Sequence, residues 1–207
     1  MRGIATVLLG LTLVASPALA TVPDILLNGG TMDFDYLGAV GGHFASTGTI
    51  VEAPTAQGTA ATTYELDGLY YLTVVGALED GANFTDGGVL VISSAVPLTT
   101  GVYALDGTNG VFLFIDDAAG WTPPVDLFNT NWTNELAAMV AAGKYGSTSG
   151  TVTITALGAS QISGTFSASV TDPTTTDELT VSEGSFNVEE SVSIDDHTWG
   201  EVKTLHR

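Results

Sequence analysis

Thr151-Val-Thr-Ile-Thr-Ala-Leu157, Gln161-Ile-Ser-Gly-Thr-Phe-Ser-Ala-Ser-Val170 and Glu178-Leu-Thr-Val-Ser-Glu-Gly-Ser-Phe-Asn-Val188 decide the fold. Each stretch alternates apolar and hydroxyl side chains with period two, the repeat of an extended chain whose successive side chains point to opposite faces. Val152 and Ile154 share one face, as do Ile162, Phe166 and Val170, while Thr and Ser decorate the other. Three antiparallel strands, wet on one side, are the reading. Gly164 and Gly184 interrupt two of these strands at similar places, which predicts bulges or a close approach of sheets.

The same alternation runs upstream through Thr31–Leu37, His43–Ala53, Thr62–Leu78, Val89–Ser94, Gly101–Leu105 and Val111–Ile115. Asp67-Gly68 splits the third run as a two-residue hairpin turn, and Asp106-Gly-Thr-Asn-Gly110 joins the last two. The spacing is that of a meander. One segment departs from it: Asn134–Ala142 places Leu136, Met139 and Val140 at helical spacing, beyond the loop Trp121-Thr-Pro-Pro124. Thr133 or Asn134 can cap its first turn, Glu135 suits that turn, and Gly143 with Lys144 suits its end. The expected fold class is all-β, an antiparallel sandwich or barrel of about nine or ten strands with one short helix closing one end.

The N-terminus reads as a secretory signal peptide over residues 1–20. Arg2 supplies the positive start, Ile4–Val14 the apolar run, and Ala18-Leu-Ala20 the small residues before a cut. The apolar run is shorter than the roughly 20 residues that span a bilayer. Thr21, not a lipid-bearing Cys, follows the cut. The expected organisation is therefore signal peptide 1–20, one all-β domain over 21–192 and a tail over 193–207. Export to the periplasm, cell surface or extracellular space follows, with no membrane span.

Loss of Arg2 leaves 23 acids against Lys144, Lys203 and Arg207, a net charge of −20. That field repels nucleic acid and anionic membrane. The acids are scattered and 44% of residues are hydrophobic, so a packed core is feasible. Cysteine is absent, and the fold must hold by burial and backbone pairing rather than by disulfides.

Ser149-Gly-Thr-Val-Thr-Ile-Thr155, Ile162-Ser-Gly-Thr-Phe166 and Leu179-Thr-Val-Ser-Glu-Gly-Ser-Phe186 have Thr100-Gly-Val-Tyr-Ala-Leu105 upstream. Together they resemble a group of uncharacterised bacterial exported β-sandwich-like proteins, often lipoproteins, over roughly Tyr64 to Val188. The resemblance implies the β-fold and supplies no catalytic residue. The tail from Trp199 to Arg207 is similar to short terminal tags of exported bacterial proteins, which implies a sorting or anchoring role. Its alternative is a frayed end or a last turn docking Trp199, Val202 and Leu205.

Catalytic motifs are scarce. Gly146-Ser-Thr-Ser-Gly150 carries Thr148 where a nucleophile elbow needs Ser, and no His-Glu-x-x-His helix or phosphate loop occurs. His43 stands alone in a strand and reads as a surface or half-buried side chain rather than a general base. Asp80, Asn83 and Asp86, and separately Asp106 and Asn109, combine hard oxygen donors with glycine-containing loops, which suits Ca²⁺. Asp and Asn serve turns equally well, and no other cofactor is implied. Tyr70 and Tyr71 face opposite sides of one strand, while Trp121 and Trp132 flank the proline loop. These four aromatics would stack on a sugar or an apolar ligand, or else fill the core.

Three functions fit these residues. The first is a non-enzymatic exported β-domain in cell-surface or envelope binding or structure. The second is a small-ligand or carbohydrate-binding carrier, which needs an aromatic-lined cavity. The third is an Asp/Glu-dependent hydrolase, which needs two convergent carboxylates. The partner is unknown, with a cell-surface or carbohydrate ligand as the candidate.

Overall fold

The computed structural model describes residues 25–50, 57–66, 68–80, 83–116 and 145–190. These residues form strands β1 (Ile25–Asn28), β2 (Gly30–Gly38), β3 (Gly41–Thr47), β4 (Gly58–Leu66), β5 (Leu69–Asp80) and β6 (Asn83–Ser94). The series continues with β7 (Gly101–Ala104), β8 (Gly110–Ile115), β9 (Tyr145–Gly158), β10 (Gln161–Thr171) and β11 (Glu178–Glu189). The helix expected over Asn134–Ala142, the loop Trp121–Pro124, the segment 1–20 and the tail 193–207 all lie outside the described residues. Among the described residues no helix is long and apolar enough to cross a membrane.

All strands belong to one antiparallel sheet, ordered β1-β4-β5-β6-β8-β9-β10-β11-β2-β3, with β7 paired to β9 off this path. The deciding stretches fall on β9, β10 and β11, paired as read. Ile162↔Leu157 and Phe166↔Val152 join β10 to β9, and Ile162↔Val188 and Val170↔Leu179 join it to β11. β4 and β5 pair out to Leu66↔Leu69, which leaves two positions for the Asp67-Gly68 turn. The sheet is a curled half-barrel rather than two stacked sheets. Its edges are stitched at Gly29, the residue between β1 and β2: its N–H donates to the Thr59 carbonyl of β4 at 2.9 Å, and its carbonyl accepts from Glu189 N–H of β11 at 3.0 Å.

Three expected boundaries move. β1 is an added short strand, held by its pairing with β4 from Ile25↔Thr63 to Asn28↔Ala60. The run from His43 ends at Thr47, because Gly48 turns the chain with φ +95°, donates to Gly30 at 2.8 Å and accepts from Thr59 at 3.0 Å. Asp80, Asn83 and Asp86, expected in a glycine-containing loop, lie on strands. β5 runs through Asp80 and β6 begins at Asn83, paired Asp80↔Asn83, because the hairpin ladder continues almost to its turn.

The concave side of the sheet holds the core. Phe34 on β2 is fully buried, with Phe44 stacked on it at 4.7 Å between ring centroids. Phe112 and Phe114 meet it edge-on at 5.3 Å, and Phe166 meets it at 5.7 Å. Edge-to-face and offset rings place the positive rim of one on the negative face of the next. Where β2 and β3 pack across the interior, Gly76 and Gly88 form a cross-strand pair. A Cβ on Gly76 would lie 2.6 Å from Ser46 Oγ, and one on Gly88 2.9 Å from Met32 Sδ. The missing side chains set how tightly the sheet curls.

Gly164 and Gly184 have a related purpose. Gly164 lies opposite Phe186, and Gly184 opposite Phe166. A Cβ at Gly164 would meet Phe186 Cζ at 2.6 Å, and one at Gly184 would meet Phe166 Cδ2 at 2.8 Å. Each glycine therefore makes room for the ring across the ladder. The pairing shifts beside them, between Phe166 and Ala168. The shift has a clear reason: Leu179 and Val181 face inward on odd positions, whereas Phe186 and Val188 face inward on even ones. One extra residue at Glu183-Gly184 keeps both halves of β11 in the core, since a one-residue slip otherwise reverses every side chain.

Phe34→Ala should lower unfolding free energy by about 3–5 kcal/mol in urea titration, because five rings lose their common neighbour. Gly184→Val should cost about 1–3 kcal/mol, since the new side chain overlaps the Phe166 ring.

Candidate functional site

The convex face of β9, β10, β11, β2 and β3 is polar, and it carries the two side-chain constellations of greatest chemical interest. The first lies on the β2–β3 hairpin. Asp33 and Asp35 occupy alternate outward positions of β2, and His43 lies directly across from Asp35. His43 Nδ1 contacts Asp35 Oδ1 at 2.8 Å, and Nε2 contacts Asp33 Oδ2 at 3.3 Å. The hydrogen bond to Asp35, followed by the charge of Asp33, raises the His43 pKa above its ordinary value. When the ring is protonated, both nitrogens donate to these carboxylates. The imidazole is an exposed side chain that bridges two carboxylates of the neighbouring strand.

The second constellation is an open groove of about 240 Å³ across β9, β10 and β11. Thr151, Thr153, Thr165, Ser167 and Ser185 line it with hydroxyls, Glu183 with a carboxylate, and Phe166 and Gly184 complete the lining. Glu183 has φ 53°, a left-handed backbone seldom adopted by residues with a Cβ. The bulge that keeps Phe186 inside thus presents Glu183 on the polar face. The groove is smaller than the roughly 300–1,000 Å³ typical of small-molecule pockets. It suits a polar group laid on the surface better than an enclosed ligand.

The structure places the expected site residues as follows. Tyr70 and Tyr71 are half-buried in β5. Tyr71 stacks on Tyr64 of β4 at 5.0 Å with an interplanar angle of 10°. Burial raises the Tyr64 pKa, with the Thr73 hydrogen bond opposing and Tyr71 adding to it. Trp121 and Trp132 lie outside the described residues. Of Asp80 and Asn83 only the backbone is described, on β5 and β6, and Asp86 is on β6.

Asp106 and Asn109 sit beyond the other end of β6, where Asn109 accepts from Ser93 N–H at 2.7 Å. Asp86 and Ser93 are seven positions apart on one strand, a separation of roughly 23 Å at strand rise. The two oxygen-rich groups are therefore not brought together. Asp106 serves its own turn: Oδ1 accepts from Thr108 and Asn109 N–H at 2.8 and 2.9 Å, and Oδ2 from Asn109 Nδ2 at 3.3 Å. Those N–H groups, Asn109 first, lower its pKa. Among the described residues no three of His, Cys, Asp and Glu are grouped to hold a metal.

Sequence reasoning missed Glu183 and the Asp33–His43–Asp35 staple. A signal for each existed. Asp-Phe-Asp puts two acids on one strand face, one run before the lone histidine, and Glu-Gly breaks the alternation between Ser182 and Ser185. No family model matches the chain, and no curated protein or solved structure matches it.

His43 should titrate above about 6.5, the usual value, in an NMR pH series, and Asp35→Asn should bring it down. Because its folded pKa is raised, the staple stabilises fully below the unfolded value and its contribution is lost as pH rises through the folded one. His43→Ala should therefore lower Tm more at acidic than at alkaline pH.

Proposed function

We propose that this chain is an exported, non-enzymatic β-domain that acts in binding or structure at the cell surface or envelope. The observation that carries the reading is the filled concave side. Phe34, Phe44, Phe112, Phe114, Phe166 and Phe186 occupy the space where an internal carrier would hold its ligand. The ionisable groups of the polar face point the same way: His43 is held between two carboxylates, and Glu183 is the one acid lining the groove. A hydrolase of the two-carboxylate kind needs a second acid across from it, ~5–9.5 Å away. The acidic composition keeps such a domain soluble and away from anionic lipid.

One observation favours a second reading, a carbohydrate-binding module rather than a carrier. Five hydroxyls and a carboxylate along an open groove can exchange hydrogen bonds with the hydroxyls of a saccharide lying on the sheet.

The mature chain from Thr21 should be mixed with isolated envelope fractions and with soluble polysaccharides, then assayed against ester, peptide and glycoside substrates. Co-sedimentation with envelope or polysaccharide without turnover is expected. Turnover that Glu183→Gln abolishes would overturn the proposal in favour of the hydrolase.

A further inference from the structure

Among the described residues, two other than glycine adopt a left-handed backbone, Thr176 at φ 67° and Glu183 at φ 53°. Thr176 belongs to a tight turn, where its N–H donates to the Asp172 carbonyl at 2.9 Å. Glu183 stands at the β11 bulge, in a conformation that glycine adopts without steric cost and a residue with a Cβ does not. The Glu183 carboxylate returns nothing to the fold in hydrogen bonds or ion pairs, since it has no such partner among the described residues.

The hydroxyls beside it share this state. Thr153, Thr165 and Ser185 form one row across β9, β10 and β11, and Thr151 pairs with Ser167 in the next. None of these five hydroxyls has a hydrogen-bond partner among the described residues. The polar side chains around them are engaged: Thr155 with Ser163 at 3.0 Å, Gln161 with Asn187 at 2.8 Å, Asn187 with Glu189 at 2.8 Å, and Thr148 with the Ser169 carbonyl at 3.2 Å. The unengaged groups are the ones that line the groove of about 240 Å³. Five groups that both donate and accept, and one that only accepts, thus converge on one depression without satisfying one another.

Charge narrows the ligand. No Lys or Arg occurs among the described residues, and His43 is engaged with Asp33 and Asp35. Asp33 is itself paired with Ser185 across β2 and β11, one strand beyond the groove. Such a face repels an anionic ligand and attracts a cationic one.

Building on the saccharide reading of the groove, we propose that it binds an amino sugar unit of a glycan, with the protonated amine on Glu183 and the sugar hydroxyls on the Thr and Ser rows. Hydroxyls that donate and accept match sugar hydroxyls in either sense, whereas an ionised carboxylate matches an ammonium donor. The left-handed Glu183 is then kept for its ligand rather than for its fold.

Glucosamine oligomers and their fully N-acetylated counterparts share one backbone and differ in the amine. Binding of each to the mature chain is measured by calorimetry at mildly acidic pH and low salt. The amine form should bind about two- to fivefold tighter, the range of an exposed ion pair. Glu183→Gln should remove that margin and leave binding of the acetylated form in place. Glu65→Gln, which removes an exposed acid on β4 outside the groove, should keep the margin. Glu183→Gly should lose it with Tm unchanged or raised. Equal affinity for the two oligomers would overturn the amine assignment and leave the saccharide reading standing, whereas binding of neither would remove both. An equal loss in Glu65→Gln would reduce the preference to the field of the whole acidic chain and overturn the site. Oligolysine that binds as tightly as the amine oligomer would do the same, and a lower Tm in Glu183→Gly would assign the residue to the fold instead.

Discussion

The curl of the sheet depends on how the Phe34 ring is accommodated. One phenyl group, fully buried at the centre of the concave side, is shared by rings from β3, β8 and β10. A flat sheet could not bring strands that far apart in the path onto one ring. The paired Gly76 and Gly88 let Met32 and Ser46 come close across the interior, and Gly29 then ties β4 to β11 through both of its backbone groups. Ring packing, absent Cβ atoms and edge stitching are thus one constraint seen from three sides.

That constraint also shapes the polar face. Keeping Phe186 and Val188 in the core after Leu179 and Val181 requires an extra residue, and the extra residue sets Glu183 over a row of hydroxyls. The groove is a by-product of core register before it is anything else. The staple of His43 between Asp33 and Asp35 follows similarly from β2 and β3 alternation, since the neighbours of Phe34 must point outward.

Much of the architecture was legible because period-two alternation is a local property. The strands around Val152, Ile162, Phe166 and Val181 are visible from their own side chains, and Asp67-Gly68 marks its hairpin without outside help. The places where the reading slipped are those where partners decide. Ile25–Asn28 is too short to announce itself and is a strand because β4 lies beside it. Asp80 and Asn83 carry turn chemistry yet continue a ladder. Asp106 was equally readable as a cation ligand or a turn residue, and its hydrogen bonds place it in the turn.

The amino-acid sequence alone determined an antiparallel all-β domain without disulfides, its principal strands and hairpins, and its strongly acidic character, since all of these follow from side-chain alternation and composition. Only the tertiary structure decided that the sheet curls on itself instead of stacking as two layers. It also decided that Gly164 and Gly184 lie under rings from the neighbouring strand, and that His43 falls between Asp33 and Asp35. Those outcomes depend on contacts between residues distant in the chain, and hydrophobic alternation specifies which face of a strand is buried without specifying what it is buried against.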